Sequence, residues 1–267
     1  MTRHAAGMFC WCQIGTTDPD AAKKFYAPLF GWNYEDAPVA GQPFSLIKKS
    51  GKTVGGLYAL IKEQRDRGIG PMWEPYISVD DVDQTVKRVK GARGKVLMDA
   101  TDIADHGRMA MFEDPTTAVV SVWQAKKQIG SEIVNEPGSM CWNELITNDS
   151  AKAGPFYRNV FDWTEETRPS LAVGVPYTVF SKNGQQAAGM MQATPEMHLT
   201  HPYWLVYFAV DDCDTIAAKA EQLRGKVVMK PTDIPQIGRF AGLTDPQGTY
   251  FAIIALTMAN QGSGARR

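Results

Sequence analysis

A chain that repeats itself must build the same local structure more than once, and this one repeats at a single register. Cys10-Trp11 recurs as Cys141-Trp142, an offset of 131 positions. The same offset carries Asp18 to Asp149, Phe25-Tyr26 to Phe156-Tyr157, Phe30 to Phe161 and Trp32 to Trp163. It continues through Trp73 and Trp204, Tyr76 and Tyr207, Asp80-Asp81 and Asp211-Asp212, Gly94-Lys95 and Gly225-Lys226, and Asp114-Pro115 and Asp245-Pro246. Two homologous domains are expected, at 8–125 and 139–257. A polar linker near 126–138 joins them, and the small polar tail from 260 to 267 is expected to be disordered. The 267 residues suffice for two domains at roughly 100–200 residues each.

Each half carries the same local signals. A strand from Phe9 runs into Asp18-Pro19, an N-cap followed by a proline at the first helical position. Ala22, Phe25, Tyr26, Leu29 and Phe30 then fall at helical spacing and form one apolar stripe. Gly31 ends that helix. Short strands follow, and the pattern restarts with a strand at 76–79, an acidic helix start at Asp80 to Asp83, and Val82, Val86 and Val89 on the buried face. Gly91 and Gly94 flank the end of this second helix. Each half therefore reads β-α-β-β-β twice, so the chain holds four such units. One helix covers only one side of a sheet, so units must pair to enclose an interior.

Composition removes several function classes. With 28 basic and 29 acidic residues the chain has no overall field to attract nucleic acid or anionic lipid. Its longest apolar runs fall far short of the ~20 residues that span a bilayer. No signal peptide is read at the N-terminus, so a cytoplasmic location is expected, with non-classical export left open. Cys10, Cys12, Cys141 and Cys213 form no C-x-x-C pair and are expected to be small buried thiols. His4, His106, His198 and His201 are expected in loops or the terminal arm. No phosphate loop, dinucleotide fingerprint or nucleophile elbow is present.

The segments Asp18…Phe25-Tyr26…Phe30-Gly31-Trp32, Val79-Asp80-Asp81-Val82-Asp83 and Asp114-Pro115 resemble the vicinal oxygen chelate superfamily, which includes glyoxalase I, bleomycin-resistance proteins and extradiol dioxygenases. The chain looks most like the tandem two-domain bacterial members of glyoxalase-like or hydroxylase type, through Trp142-Asn143-Glu144-Leu145 and Gly238-Arg239-Phe240-Ala241. The resemblance implies an α+β fold of four βαβββ units in two tandem domains, with curved mixed sheets around cavities. It also implies where a catalytic member would hold a divalent metal, which polarises a substrate oxygen. Those positions are Trp11 and Trp142, Glu74 and Leu205, Ser121 and Ala252, with a further position near Gly55-Gly56 and Gly189. Glu74 alone among them offers a metal-binding group, so no family-type metal site and no cofactor are expected.

Aromatics at such positions turn a metal site into an apolar pocket with a few polar anchors, the usual make-up of a small-molecule site. Trp11, Gln13, Glu74, Tyr76, Arg108, Ser121, Trp142, Tyr207 and Arg239 are the candidate ligand-binding residues. The alternative for the aromatics is core packing, and for Arg108 and Arg239 a strand-end salt bridge. Glu144 is the candidate general base, or else half of a structural pair with an arginine such as Arg239. The expected function is a small-molecule-binding protein of glyoxalase/bleomycin-resistance type without the family metal. Two alternatives stay open. One is a glyoxalase-like lyase or oxygenase using a divalent metal on non-standard ligands. The other is a non-catalytic scaffold or partner-binding protein. Oligomeric state is left open.

Overall fold

The structure, a computed structural model, describes residues 3–39, 41–66, 68–169 and 174–257; the tail expected to be disordered lies outside them. The first repeat comprises β1 (Phe9–Thr16), α1 (Pro19–Phe30), β2 (Asn33–Asp36), β3 (Phe44–Lys49), β4 (Lys52–Ala59), α2 (Lys62–Asp66), β5 (Met72–Ser78), α3 (Val82–Gly91), β6 (Lys95–Ile103), β7 (Gly107–Glu113) and β8 (Val119–Ala125). The second comprises β9 (Met140–Thr147), α4 (Ser150–Phe161), β10 (Thr164–Pro169), β11 (Pro176–Lys182), β12 (Gln185–Gln192), β13 (Tyr203–Ala209), α5 (Cys213–Gln222), β14 (Lys226–Ile234), β15 (Gly238–Thr244) and β16 (Tyr250–Leu256). The fold is α+β with two mixed eight-stranded sheets. Their orders, β2-β3-β4-β1-β5-β8-β7-β6 and β10-β11-β12-β9-β13-β16-β15-β14, match strand for strand. Within every βαβββ unit the first strand pairs in parallel with the fourth, and the remaining pairs are antiparallel.

Local chemistry sets the helix ends. The Asp18 carboxylate accepts from the Ala21 backbone N–H, and Gly31 takes the left-handed conformation with φ 71° that favours a residue without Cβ. Asp81, Asp149 and Asp212 cap α3, α4 and α5 in the same way. Gly91 and Gly94 flank the end of α3, and the Gly94 N–H donates to the Val89 carbonyl at 2.9 Å. The left-handed residue beyond α3 is Arg93 (φ 67°), and beyond α5 it is Arg224 (φ 69°). Gly94 is also a close-approach residue: an added Cβ would lie 2.7 Å from the Phe156 ring and 2.8 Å from Val89. Gly225 stands in the same relation to Phe25, at 2.9 Å. The linker is also more ordered than its polarity suggests. Glu132 exchanges two hydrogen bonds with Thr53, at 2.7 and 2.6 Å, and the Trp32 indole donates to the Gly138 carbonyl at 2.7 Å.

Compactness divides the chain differently from the repeat. One compact unit is Met1–Trp11, Glu74–Gly130 and Trp142–Leu205; the other is Cys12–Trp73, Ser131–Cys141 and Val206–Arg267. Each unit thus takes one βαβββ block from each repeat. The motifs that repeat in sequence close each unit. In the first, Trp204 Nε1 donates to the Tyr157 hydroxyl at 2.9 Å, and that hydroxyl donates to Asp114 at 3.0 Å. In the second, Trp73 Nε1 donates to Tyr26 at 3.1 Å, and Tyr26 donates to Asp245 at 3.2 Å. Aromatic rings pack around both relays: Phe156, Phe161, Trp163 and Phe180 in one, Phe25, Phe30, Trp32, Phe208 and Phe251 in the other.

Candidate functional site

The first compact unit holds the polar groups that its interior strands display. On β9, Trp142 and Glu144 are two residues apart and so point to one face. Glu144 sits opposite Gly189 of β12 in parallel register, and Tyr177 of β11 lies opposite Met191. Gly189 lets the Tyr177 ring lie across it; a Cβ there would collide with the Tyr177 hydroxyl and come within 3.0 Å of Trp142 Nε1. In that space Trp142 Nε1 donates to the Tyr177 hydroxyl at 3.0 Å, and Tyr177 donates to Glu144 Oε2 at 2.8 Å. Glu144 is 7% exposed, so its carboxylate is desolvated and held by directed hydrogen bonding. Burial pushes the Tyr177 phenol well above its ordinary value and the Glu144 charge adds to this, against the Trp142 hydrogen bond. Tyr177 therefore stays a neutral donor.

On β5 of the same unit, Glu74 and Tyr76 share a face, both buried, and Tyr76 lies opposite Ser121 of β8. Ser121 is 1% exposed and its hydroxyl has no hydrogen-bond partner. Trp11 is buried on β1, and Gln13 lies two positions on, opposite Gly56 in the second unit. Tyr207 also belongs to the second unit, where it packs against Phe240. Arg108 grips Asp83 with two hydrogen bonds of 2.9 Å, and Arg239 grips Asp214 at 2.6 and 3.0 Å while also meeting Asp233. Glu144 thus accepts a hydrogen bond from a tyrosine, while Arg239 is held by Asp214 and Asp233. The thiols are free, three of them buried, and His106, His198 and His201 are exposed.

Tyr177 was not among the candidates, and the reason is a two-residue shift. Strand register pairs Phe44 with Tyr58 and Tyr177 with Met191, and pairs Gln13 with Gly56 and Glu144 with Gly189. Tyr177 therefore corresponds to Phe44 at an offset of 133, not 131. The signal lay in Phe44-Ser45-Leu46 against Tyr177-Thr178-Val179. Where the second repeat has Glu144 and Tyr177, the first has Gln13 and Phe44: acid and hydroxyl are replaced together. Phe44 lines a surface cleft of about 370 Å³ in the second unit, with Pro19, Lys23, Asp36 and Tyr58.

These residues do not fit a divalent metal. An ion needs about three donor side chains beside an open position. Here the indole of Trp142, the bare Gly189 under Tyr177 and the neutral Ser121 hydroxyl stand where the resemblance implies ligands. Among the described residues no three His, Cys, Asp or Glu side chains converge.

Comparison with known proteins places the chain in a defined group. A family model described as Glyoxalase/Bleomycin resistance protein/Dioxygenase superfamily matches residues 9–122 and 142–253. "Putative glyoxylase CFP32" of Mycobacterium tuberculosis is 43% identical, over 91% of this chain and 93% of its own. The anthracycline biosynthesis protein DnrV of Streptomyces peucetius is 34% identical, over 96% of each. Among solved structures, the Mn(II)-bound glyoxalase from Novosphingobium aromaticivorans has a TM-score of 0.64 at 15% identity, covering 96% of this chain and 83% of its own. The 2,3-dioxygenase LapB from Pseudomonas sp. KL28 has a TM-score of 0.66 at 11% identity, covering 95% and 93%. At such identities the structural likeness is one of fold.

Proposed function

The chain belongs to the Glyoxalase/Bleomycin resistance protein/Dioxygenase superfamily, and within it we propose that this protein binds a small planar aromatic molecule without the family metal. The observation that carries this reading is the Trp142–Tyr177–Glu144 chain of hydrogen bonds, which fills the ground of metal ligands with an indole, a neutral phenol and a buried carboxylate. Aromatic walls with a few convergent polar groups are what a small-molecule pocket requires. A flat ring system stacks on indole and phenol faces, and the carboxylate orients it. Two relatives carry names from anthracycline biosynthesis, and the anthracycline nucleus contains a planar anthraquinone. Fold alone does not set function in such scaffolds, so the proposal rests on these side chains. Titration calorimetry with fused-ring aromatics, 2,7-dihydroxynaphthalene first, tests it after exhaustive EDTA dialysis. Binding that survives chelation and weakens at least tenfold in Glu144→Gln, about 1.4 kcal/mol, supports it. Binding only after a divalent ion is restored, or no binding of any fused-ring probe, overturns it.

A further inference from the structure

The surface cleft of about 370 Å³ in the second unit is built from one short stretch of chain, between Pro19 and Ala59. Asp36 of β2, Ser45 of β3 and Leu57 of β4 lie side by side in register and so share a face. That face is turned to α1. Lys23 Nζ lies 3.6 Å from Asp36 and 5.5 Å from the centre of the Tyr34 ring, two residues back on β2. Gly56, which pairs with Gln13, alternates with Leu57 and belongs to the other face of the sheet. The first turn of α1, with Pro19 and Asp20, forms the facing wall, and Pro38 and Pro43 complete the lining. The polar groups here accept more than they donate. The Asp20 carboxylate has neither a hydrogen bond nor an ion pair among the described residues. Ser45 gives its hydroxyl proton to Asp36 at 3.1 Å. Asp36 is nonetheless 86% exposed, and its contact with Lys23 exceeds the about 3.2 Å reach of an ordinary hydrogen bond. The three prolines carry no backbone N–H.

The internal repeat supplies a control. Ala151, Gly154, Thr167 and Thr178 stand in the second repeat where the first has Asp20, Lys23, Asp36 and Ser45. There the Thr167 and Thr178 hydroxyls bond each other at 2.8 Å, and the Glu165 carboxylate lies 2.8 Å from where a Cβ on Gly154 would stand. The same fold thus forms without the two acids and the lysine, so local structure does not require them. We infer that the cleft is a site for a small organic cation, a primary ammonium carried on a compact apolar body. Its volume exceeds the about 300 Å³ at which small-molecule pockets begin. An ammonium has three donors and no acceptor. It would make charge-assisted bonds to Asp20 and Asp36, while the prolines and Leu57 receive the apolar body. An anion would meet two carboxylates. Lys23 is the competing cation, loosely held and already beside Asp36. The inference is independent of the aromatic-binding reading, because Glu144 and Tyr177 belong to the other unit.

The test compares phenethylamine, 2-phenylethanol and 3-phenylpropionate, which share a ring and a two-carbon linker and differ in charge. Ligand-observed NMR titrations on the full chain at pH 7 and low salt should show the amine bound at least tenfold more tightly than the alcohol, and the carboxylate more weakly still. Added salt should weaken the amine, since its partners are solvent-exposed charges. Asp20→Ala and Asp36→Thr install the residues of the second repeat, so thermal melts should stay cooperative while the amine weakens at least threefold in each. Lys23→Gln should instead tighten the amine at least twofold, a direction that general loss of structure does not produce. Saturating 2,7-dihydroxynaphthalene should leave the amine bound. Equal affinity for amine and alcohol, unchanged amine binding in both aspartate variants, weaker binding in Lys23→Gln, displacement of the amine by the naphthalene diol, or no saturable binding of the amine would each overturn the inference.

Discussion

Single side chains decide what this scaffold can hold. The Tyr177 hydroxyl links an indole donor to a buried carboxylate, and Gly189 makes room for it. Tyr177→Phe takes away the acceptor of the Trp142 N–H and one donor to Glu144. Denaturant unfolding should show a loss of about 1–3 kcal/mol, the cost of stranding a buried polar group. Gly189→Ala should cost about 1–3 kcal/mol by overpacking, since the new methyl must displace the Tyr177 ring. The two sites touch, so their effects should not add: the double variant should lose less than the sum. Additive losses would mean that the ring does not depend on the glycine.

Elements show which physics is legible in a sequence. The Asp18 cap and the Gly31 stop could be read because their partners lie within four residues, and the apolar stripe of α1 follows from helical period alone. Gly94 could not be assigned from sequence, since its need comes from Phe156, far along the chain. Trp142 and Glu144 were readable as neighbours on one strand face, but Tyr177 reaches them only through strand register, and a two-residue shift hid its counterpart Phe44. The Trp–Tyr–Asp relays belong to the same class: each motif was visible, and its partner was not. Asp114, the acid of the first relay, carries a prediction about pH. Burial raises the Asp114 carboxyl, against hydrogen bonds from Thr116, Tyr157 and Ala118. Folded Asp114 therefore holds its proton to higher pH than the unfolded chain, whose carboxyl titrates near about 4. The resulting stabilisation is complete below that value and is lost as pH rises through the folded pKa. Asp114→Asn has no such titration. The stability gap between wild type and variant should be widest in acid and narrow as pH rises, as followed by unfolding at several pH values. A gap that widened with pH would refute this account of Asp114.

At the scale of the molecule, the repeat and the compact unit are different divisions, and the difference predicts how the chain behaves when cut. A fragment ending within the linker, such as 1–130, contains a complete eight-stranded sheet but only part of each compact unit. Its α1 would lose the Asp245 partner of Tyr26 and the Phe208 and Phe251 rings that cover Phe30. Fully burying one such side chain contributes about 1.5–3 kcal/mol, and whole domains have only about 5–15 kcal/mol in hand. Exposing Phe25, Tyr26, Phe30 and Trp32 together uses up a margin of that size. Residues 1–130 and 131–267 expressed separately should therefore give no cooperative melt near that of the intact chain, and should aggregate or bind dyes of exposed apolar surface. Coexpressed, they should copurify as a one-to-one complex with a cooperative transition, because each supplies the aromatic and acidic partners the other lacks. Size-exclusion chromatography and thermal circular dichroism on the separate and combined fragments measure this. A cooperative, near-native melt from 1–130 alone would show that the repeat, rather than the interleaved unit, is what folds.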